Sequence, residues 1–194
     1  MLKKDNEHRE IEIKVLDIDI KKMLSRLEKL GAKRIGEYNY KRIIYDYPDS
    51  SLDKKHAWIR LRTDGRKTTI TYKKINGKGV DRIEEHETIV DRFDNARKIL
   101  TSIGLEEKRT QESRRIMFEL DSVEVDIDIW PKVPPYMEVE AKTKEELLKA
   151  LKKLEIKIKD TRTFTGRELY AHYGITLEDF KDLKLEKSKR TMRI

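Results

Sequence analysis

The sequence predicts an α+β fold built on mostly antiparallel strands with helices laid against them. Three observations predict it. Polar and apolar residues alternate with a period of two in many short segments, the mark of half-buried strands. Most segments follow one another through short turns, which suits antiparallel neighbours. A few segments instead repeat their apolar residues at helical spacing and end at glycine.

Glu10 to Val15 alternates strictly, with Glu10, Glu12 and Lys14 on one face and Ile11, Ile13 and Val15 on the other. Asp17 or Asp19 can cap a helix that carries Ile20, Met23, Leu24, Leu27 and Leu30 on one stripe and stops at Gly31. Tyr38–Tyr47 is aromatic and β-branched, as strands are, and Pro48-Asp49-Ser50-Ser51 ends it. Ala57–Arg62 alternates again, Asp64-Gly65 reads as a tight turn, and Thr68–Lys74 is the next strand. After the loop Asn76-Gly77-Lys78-Gly79, Arg82–Val90 is a strand of less definite register. Asp94–Ile103 is a second helix, ended by Gly104. Arg114–Leu120 and Val123–Ile129 form a hairpin through Asp121-Ser122. Pro131, Pro134 and Pro135 then lead into the alternating strand Tyr136–Lys142. Thr143 with Glu146 makes a capping box for a helix through Leu154. The stretch from Thr165 to Leu183 reads as helical, and the basic last ten residues as a frayed end.

The 194 residues suffice for one domain with a real core, and no repeat or low-complexity linker divides them. Without cysteine there is no disulfide framework and no thiolate metal site. No apolar run approaches the roughly 18 residues of a membrane span. The N-terminus lacks the apolar stretch of a signal peptide, so a cytoplasmic location and no membrane partner are expected. The net charge of +8, from 45 bases and 37 acids, suits a polyanionic partner, either nucleic acid or a small phosphorylated compound.

The alternating strands share one pattern. Their apolar faces carry Ile, Leu, Val and Phe, while their polar faces carry full charges of both signs, among them Asp126 and Lys142. Two arrangements explain this. One is an open sheet with a solvated charged face. The other is a closed barrel with helices over its apolar outside and charges lining a wet lumen. In such a lumen acids would favour Mg²⁺ or Mn²⁺, and arginines and lysines would favour phosphate oxygens.

The ordered motifs resemble those of the CYTH superfamily, the triphosphate tunnel metalloenzymes. Glu10-Ile-Glu12-Ile-Lys14 resembles the family's ExExK signature, Arg60-Leu-Arg62 its paired-arginine strand, and Thr71-Tyr-Lys73 its TxK strand. Glu85-His-Glu87 resembles its middle acidic pair, and the segment from Asp128 to Glu138-Val-Glu140 resembles the one that ends in its last acidic pair. The resemblance implies an eight-stranded antiparallel closed barrel, the triphosphate tunnel, with covering helices. Residues 1–174 would form this single domain and 175–194 a helical or frayed basic tail. It implies metal ligation by Glu10, Glu12, Glu85, Glu87, Glu138 and Glu140. Asp128 would face the lumen too, either reaching metal through water or orienting a nearby arginine. Lys14, Arg60, Arg62, Lys73 and Arg115 would bind phosphate, with Arg82 and Lys142 as further candidates. Lys14, Glu10 and Glu12 would form the catalytic group. At two places neighbours compete for the inward face: Glu84 with the Glu85/Glu87 pair, and Arg114 with Arg115. Ser113 departs from the family pattern, which often has lysine there. His86 and His172 have no partner spacing that suggests zinc.

The activity expected from the resemblance is a phosphohydrolase dependent on Mg²⁺ or Mn²⁺ and acting on tripolyphosphate or on a nucleoside or thiamine triphosphate. Class IV adenylyl cyclase chemistry is the second reading, and a polyphosphate- or nucleic-acid-binding module without turnover the third. The expected partner is a small-molecule triphosphate, with nucleic acid disfavoured because paired carboxylates repel its phosphates. The chain is compatible with a homodimer.

Overall fold

Local signals set most element boundaries in the computed structural model, which describes residues 11–77 and 83–186. Strand β1 (Ile11–Val15) precedes helix α1 (Ile20–Lys29). Asp19 caps α1, its Oδ1 accepting from the Lys22 amide at 3.1 Å. Strands β2 (Lys33–Asp46), β3 (Ala57–Thr63), β4 (Thr68–Ile75) and β5 (Ile83–Val90) follow, then helix α2 (Phe93–Ser102). Strands β6 (Glu106–Leu120), β7 (Val123–Ile129) and β8 (Tyr136–Ala141) lead to helix α3 (Lys144–Lys153), which begins at the Thr143/Glu146 capping box. Each such cap contributes about 1 kcal/mol. The chain ends in β9 (Thr161–Arg162), α4 (Gly166–His172), a 3₁₀ turn at Leu177–Asp179 and β10 (Asp182–Leu183).

The strands form one sheet in the order β5-β4-β3-β2-β6-β7-β8-β1-β9, antiparallel at every step. Strand β10 pairs in parallel with the first half of β6, beyond the end of β7. The sheet curls strongly. Strands β4 and β1 lie six steps apart in that order, about 29 Å if the sheet were flat. Yet the Glu12 carboxylate on β1 acts electrostatically on Lys73 of β4.

The expected eight-stranded closed barrel is therefore corrected to a ten-stranded, curled half-barrel. Closure would require β5 to pair with β1. Part of that edge of β1 is already taken: Lys14 and Val15 pair with Arg162 and Thr161 of β9. Among the described residues β5 pairs as a strand only with β4, and it carries exposed Glu85 and Glu87, charges that discourage edge-to-edge pairing. The stretch 165–183, expected to be helical, is helical only over α4. Leu177 and Leu183 are buried with Tyr170 and Val133, tying residues within the expected tail to the sheet.

The outside of the sheet holds the hydrophobic core. Ile13, Ile116, Val125, Ile127, Met137 and Val139 pack under α1 and α3, which supply Leu27, Leu147 and Leu151. Ile43, Tyr45 and Leu61 pack under Ala96 and Leu100 of α2. Each such side chain stabilises by about 1.5–3 kcal/mol. The inner face contributes little of this kind, because it is made of charges.

Candidate functional site

Cross-strand register decides which side chains share the inner face. Opposite residues in a ladder project to the same side of the sheet. The pairs run Glu85–Lys73, Glu87–Thr71–Arg60, Thr69–Arg62–Arg42, Arg115–Asp128, and Asp126–Glu138–Lys14. Glu140 stands opposite both Glu12 and Glu124. The alternation thus places Glu12, Lys14, Arg60, Arg62, Lys73, Glu85, Glu87, Arg115, Asp128, Glu138 and Glu140 on one concave surface. Glu10 and Arg82 lie outside the described residues, and Lys142 is exposed just past β8.

Both competitions have clear outcomes. The β4–β5 register is regular, so Glu85 and Glu87 take the inner face and Glu84 the other, where it bonds Asn76 and His86. Arg115 points inward, whereas Arg114 points out to Glu37 at 2.6 Å.

The acids of β1, β7 and β8 gather around two cations. Arg115 Nη1 meets Asp126 Oδ2 at 2.5 Å, its Nε and Nη2 reach Asp128 at 3.0 and 2.5 Å, and Nη2 also bonds Glu138. Lys14 lies 2.9 Å from Glu138 and also pairs with Glu12. Burial would favour the neutral amine of Lys14, but the carboxylates of Glu138 and Glu12 outweigh it and hold the ammonium above its usual range. Glu138 shows the converse: burial raises its carboxyl, but Lys14 and Arg115 prevail and hold it below the usual range. Asp126 is different. Burial pushes it up, Arg115 pulls against that, and Glu124, Asp128 and Glu138 push the same way as burial. Its Oδ1 is buried without a hydrogen-bond partner.

The bases of β2, β3 and β4 are less well matched. Lys73 meets Glu85 at 2.5 Å. One nitrogen of Arg60 is shared among Thr71 at 3.2 Å, Glu85 at 3.3 Å and Glu87 at 3.4 Å. Arg62 reaches Glu87 only at 3.7 Å and packs over the Tyr40 ring, 4.8 Å from its centroid. Burial, and then the Arg62 charge, pull Arg60 down from the arginine range, although a guanidinium stays charged in proteins. Lys73 is lowered by burial and Arg60 against the pull of Glu85 and Glu12.

Two inner-face residues carry no assigned role in the sequence reading: Arg42, which it does not single out, and Asp126, which it places on the polar face. Arg42 is buried at 6% exposure, donates from Nη2 to Ser113 Oγ at 2.5 Å, and lies over the Trp130 ring, 4.3 Å from its centroid. A lysine at 113 would have brought a charge there, and Arg42 brings one from the neighbouring strand instead. Its signal was phase, since it continues the face of Tyr38 and Tyr40. Asp126 carries the signal of standing two residues before Asp128.

Among the described residues no three carboxylates or histidines converge closely enough to cage a metal, because Arg115 and Lys14 draw the acids onto themselves. The donor set nonetheless fits a hard divalent cation. Glu12, Glu138, Glu140 and Asp126 are oxygen donors on adjacent strands, and among the described residues Asp126 Oδ1 has no hydrogen-bond partner, which leaves it open to a cation that would favour its ionised form. Asp128 is fully engaged with Arg115 and orients it.

Residues 8–166 match the CYTH domain family. A Methanocaldococcus jannaschii protein named "Putative adenylate cyclase" is 27% identical over 160 residues, covering 76% of this chain and 90% of that protein. A solved Vibrio parahaemolyticus structure with the same name superposes at a TM-score of 0.73 and 17% identity, covering 86% of this chain and 99% of its own. A Hippeastrum protein, named "Putative adenylyl cyclase" and described as revealing a dominant triphosphatase activity, superposes at a TM-score of 0.61 and 14% identity, covering 87% of this chain and 96% of its own. The two structural likenesses establish a shared fold, and the family match spans most of the sequence. This chain belongs to the CYTH domain family.

Proposed function

We propose that this protein is a divalent-metal-dependent phosphohydrolase that binds a triphosphate along its charged concave face. One observation carries the reading: the inner face separates into an acidic half with an unpartnered carboxylate oxygen and a basic half whose arginines lack full counter-charge. A chelated triphosphate presents a cation to the first half and phosphate oxygens to the second. The Hippeastrum relative, described with a dominant triphosphatase activity, supports hydrolysis as the outcome.

Phosphoryl transfer needs positioning and charge stabilisation more than covalent chemistry. Arg60, Arg62 and Lys73 would hold the non-bridging oxygens, two of them as planar guanidinium forks. Glu85 and Glu87, which occupy these cations in the anion-free protein, would yield them to phosphate. Arg115 fixes Asp126, Asp128 and Glu138 in place. Lys14, held protonated, can donate to the attacking water or the leaving oxygen but cannot accept a proton. Glu12, Glu138, Glu140 and Asp126 would hold Mg²⁺ or Mn²⁺, which supplies charge neutralisation and activates water.

Cyclisation of ATP to cyclic AMP and pyrophosphate is the second reading, favoured by the names of the Methanocaldococcus and Vibrio relatives. Incubation with tripolyphosphate and, separately, with ATP in Mg²⁺ or Mn²⁺ decides between them. Orthophosphate from tripolyphosphate, or ADP plus orthophosphate from ATP, is expected. Cyclic AMP with pyrophosphate would replace the first reading by the second. Absence of product, with metal-dependent binding retained, would make the protein a binding module.

A further inference from the structure

Three buried polar atoms without partners cluster around one rung of the basic half. They are Arg42 Nε, Thr69 Oγ1 and Trp130 Nε1. Arg42 and Thr69 are the two cross-strand neighbours of Arg62, and the Trp130 ring lies against the Arg42 guanidinium. Arg42 Nε and Trp130 Nε1 can only donate, and the Thr69 hydroxyl can donate as well as accept, so acceptor oxygens would satisfy all three. Among the described residues no carboxylate forms an ion pair with Arg42, whereas Arg115 meets three. Burial and then the Arg62 charge oppose its charged form, with Arg115, against the pull of Tyr136 and Asp128, and its hydrogen bond goes to the neutral hydroxyl of Ser113. A guanidinium buried on these terms is a poor stabiliser of the fold. It is well suited to an anion that brings its own charge.

Register also places this rung in line with the phosphate-binding set. Lys73 and Arg60 come first, then Arg62, with Arg42 farther along on the side away from Lys73. A short anion held by Lys73, Arg60 and Arg62 would stop before it.

We propose that Arg42, with Thr69 and Trp130, forms an additional phosphate subsite that only the outer phosphoryl group of a chain of three or more can reach, so that the protein selects triphosphate over diphosphate. The proposal rests on the interior being a polyphosphate site, and it names the group that measures chain length.

Isothermal titration of the full chain in Mg²⁺ tests this with two non-hydrolysable probes: a tripolyphosphate with methylene groups for its bridging oxygens, and methylenediphosphonate. Wild type should bind the longer probe at least about tenfold tighter, the scale of one charge-assisted contact. Arg42→Gln should lose about tenfold or more on the longer probe and less than twofold on the shorter. Without ligand it should melt at or above the wild-type temperature, because an uncompensated charge has gone. Thr69→Val, which keeps every charge, should lose about threefold on the longer probe alone. Equal losses on both probes, or unchanged binding, would overturn the subsite. So would ligand-free destabilisation of Arg42→Gln with selectivity intact, which would make Arg42 structural. If Arg42→Gln does not fold, Thr69→Val with undiminished selectivity overturns it alone. Wild type that binds neither probe would refute the polyphosphate reading, and the subsite with it.

Discussion

The two halves of the concave face carry similar residues in different electrostatic conditions. Around Arg115, one cation is held by three carboxylates, and Lys14 adds a second cation to the same cluster. Around Arg60, Arg62 and Arg42, the charges crowd with two shared glutamates and several unmet donors. The first half is wired internally, while the second holds positive charge in reserve. Buried ion pairs fix geometry without adding much net stability, because desolvation consumes most of their attraction. The acidic half thus gains a fixed arrangement of oxygens. The basic half gains affinity for an anion it does not yet hold.

The largest loss of stability should come from Arg115→Met. It strands Asp126, Asp128 and Glu138 in a buried place, which costs about 3–5 kcal/mol. Denaturant titration at neutral pH should show that loss, and lowering the pH should recover part of it as the stranded acids take up protons. A loss below about 1 kcal/mol would mean that the acids are not held by Arg115. Arg60→Met should cost much less, since its glutamates are about a third exposed and can turn to water.

Next is Glu138→Gln. Arg115 keeps both aspartates and Lys14 keeps Glu12, so the fold should persist, yet turnover should fall about 10²-fold, the usual scale for losing one well-placed charged group. The pH response should change too. The wild-type carboxyl is held below its usual range by Lys14 and Arg115 against burial, so it stabilises the fold above that range and loses this as pH falls through and below it. The variant should lack that part of the acid sensitivity. Turnover within twofold of wild type at saturating Mg²⁺ would remove Glu138 from the machinery.

How much of this was legible beforehand depends on the kind of signal. Period-two alternation projects directly onto a face, so Glu12, Lys14, Arg60, Arg62, Lys73, Glu138 and Glu140 could be grouped from the sequence. Closure could not be read this way, because it depends on which distant strand reaches the edge of β1. The segment that reaches it, Thr161–Arg162, is two residues long and has no periodicity of its own. Strand β2 hid Arg42 for another reason. Its first half shifts register at Gly36, where a Cβ would lie 2.8 Å from the Tyr38 hydroxyl, and its tyrosines read as packing residues. Their phase became meaningful only when β6 and β3 were paired on either side.

A smaller effect, of opposite sign, is expected at Asp126. Burial holds its carboxyl above the ordinary value, up to about 9, so its ionised form is disfavoured in the folded protein. The sign is that of a raised acid: stability is greatest at low pH and declines as pH rises from the unfolded value toward the folded one. Asp126→Asn keeps the shape and removes the charge. Metal-free Asp126→Asn should gain about 1–2 kcal/mol at pH 8, a shift of a few degrees in melting temperature, and nothing at pH 4. Excess Mg²⁺ should cancel the gain, because the wild-type carboxylate then has a cation. A variant less stable than wild type at pH 8 would show that Asp126 is compensated within the protein.

Glu87→Gln probes the basic half most gently. Its carboxylate accepts from Thr71 at 2.8 Å and faces Arg60 at 3.4 Å and Arg62 at 3.7 Å, and it is about a third exposed. Such partly exposed pairs are worth about 0.2–1 kcal/mol, so the melting temperature should barely move. The anion should sense the change more clearly. With Glu87 neutral, Arg60 and Arg62 have one fewer competitor for phosphate oxygens, and methylene-bridged tripolyphosphate should bind about two- to fivefold tighter, with a steeper salt dependence. Those signs separate two roles that the sequence leaves together. As a counter-ion Glu87 competes with the anion, and its neutralisation tightens binding with or without metal. As a metal ligand it assists the anion, and its neutralisation weakens binding only when Mg²⁺ is present. Tighter binding in EDTA and in Mg²⁺ alike would assign Glu87 to the reserve of positive charge and leave cation binding to the opposite half of the sheet.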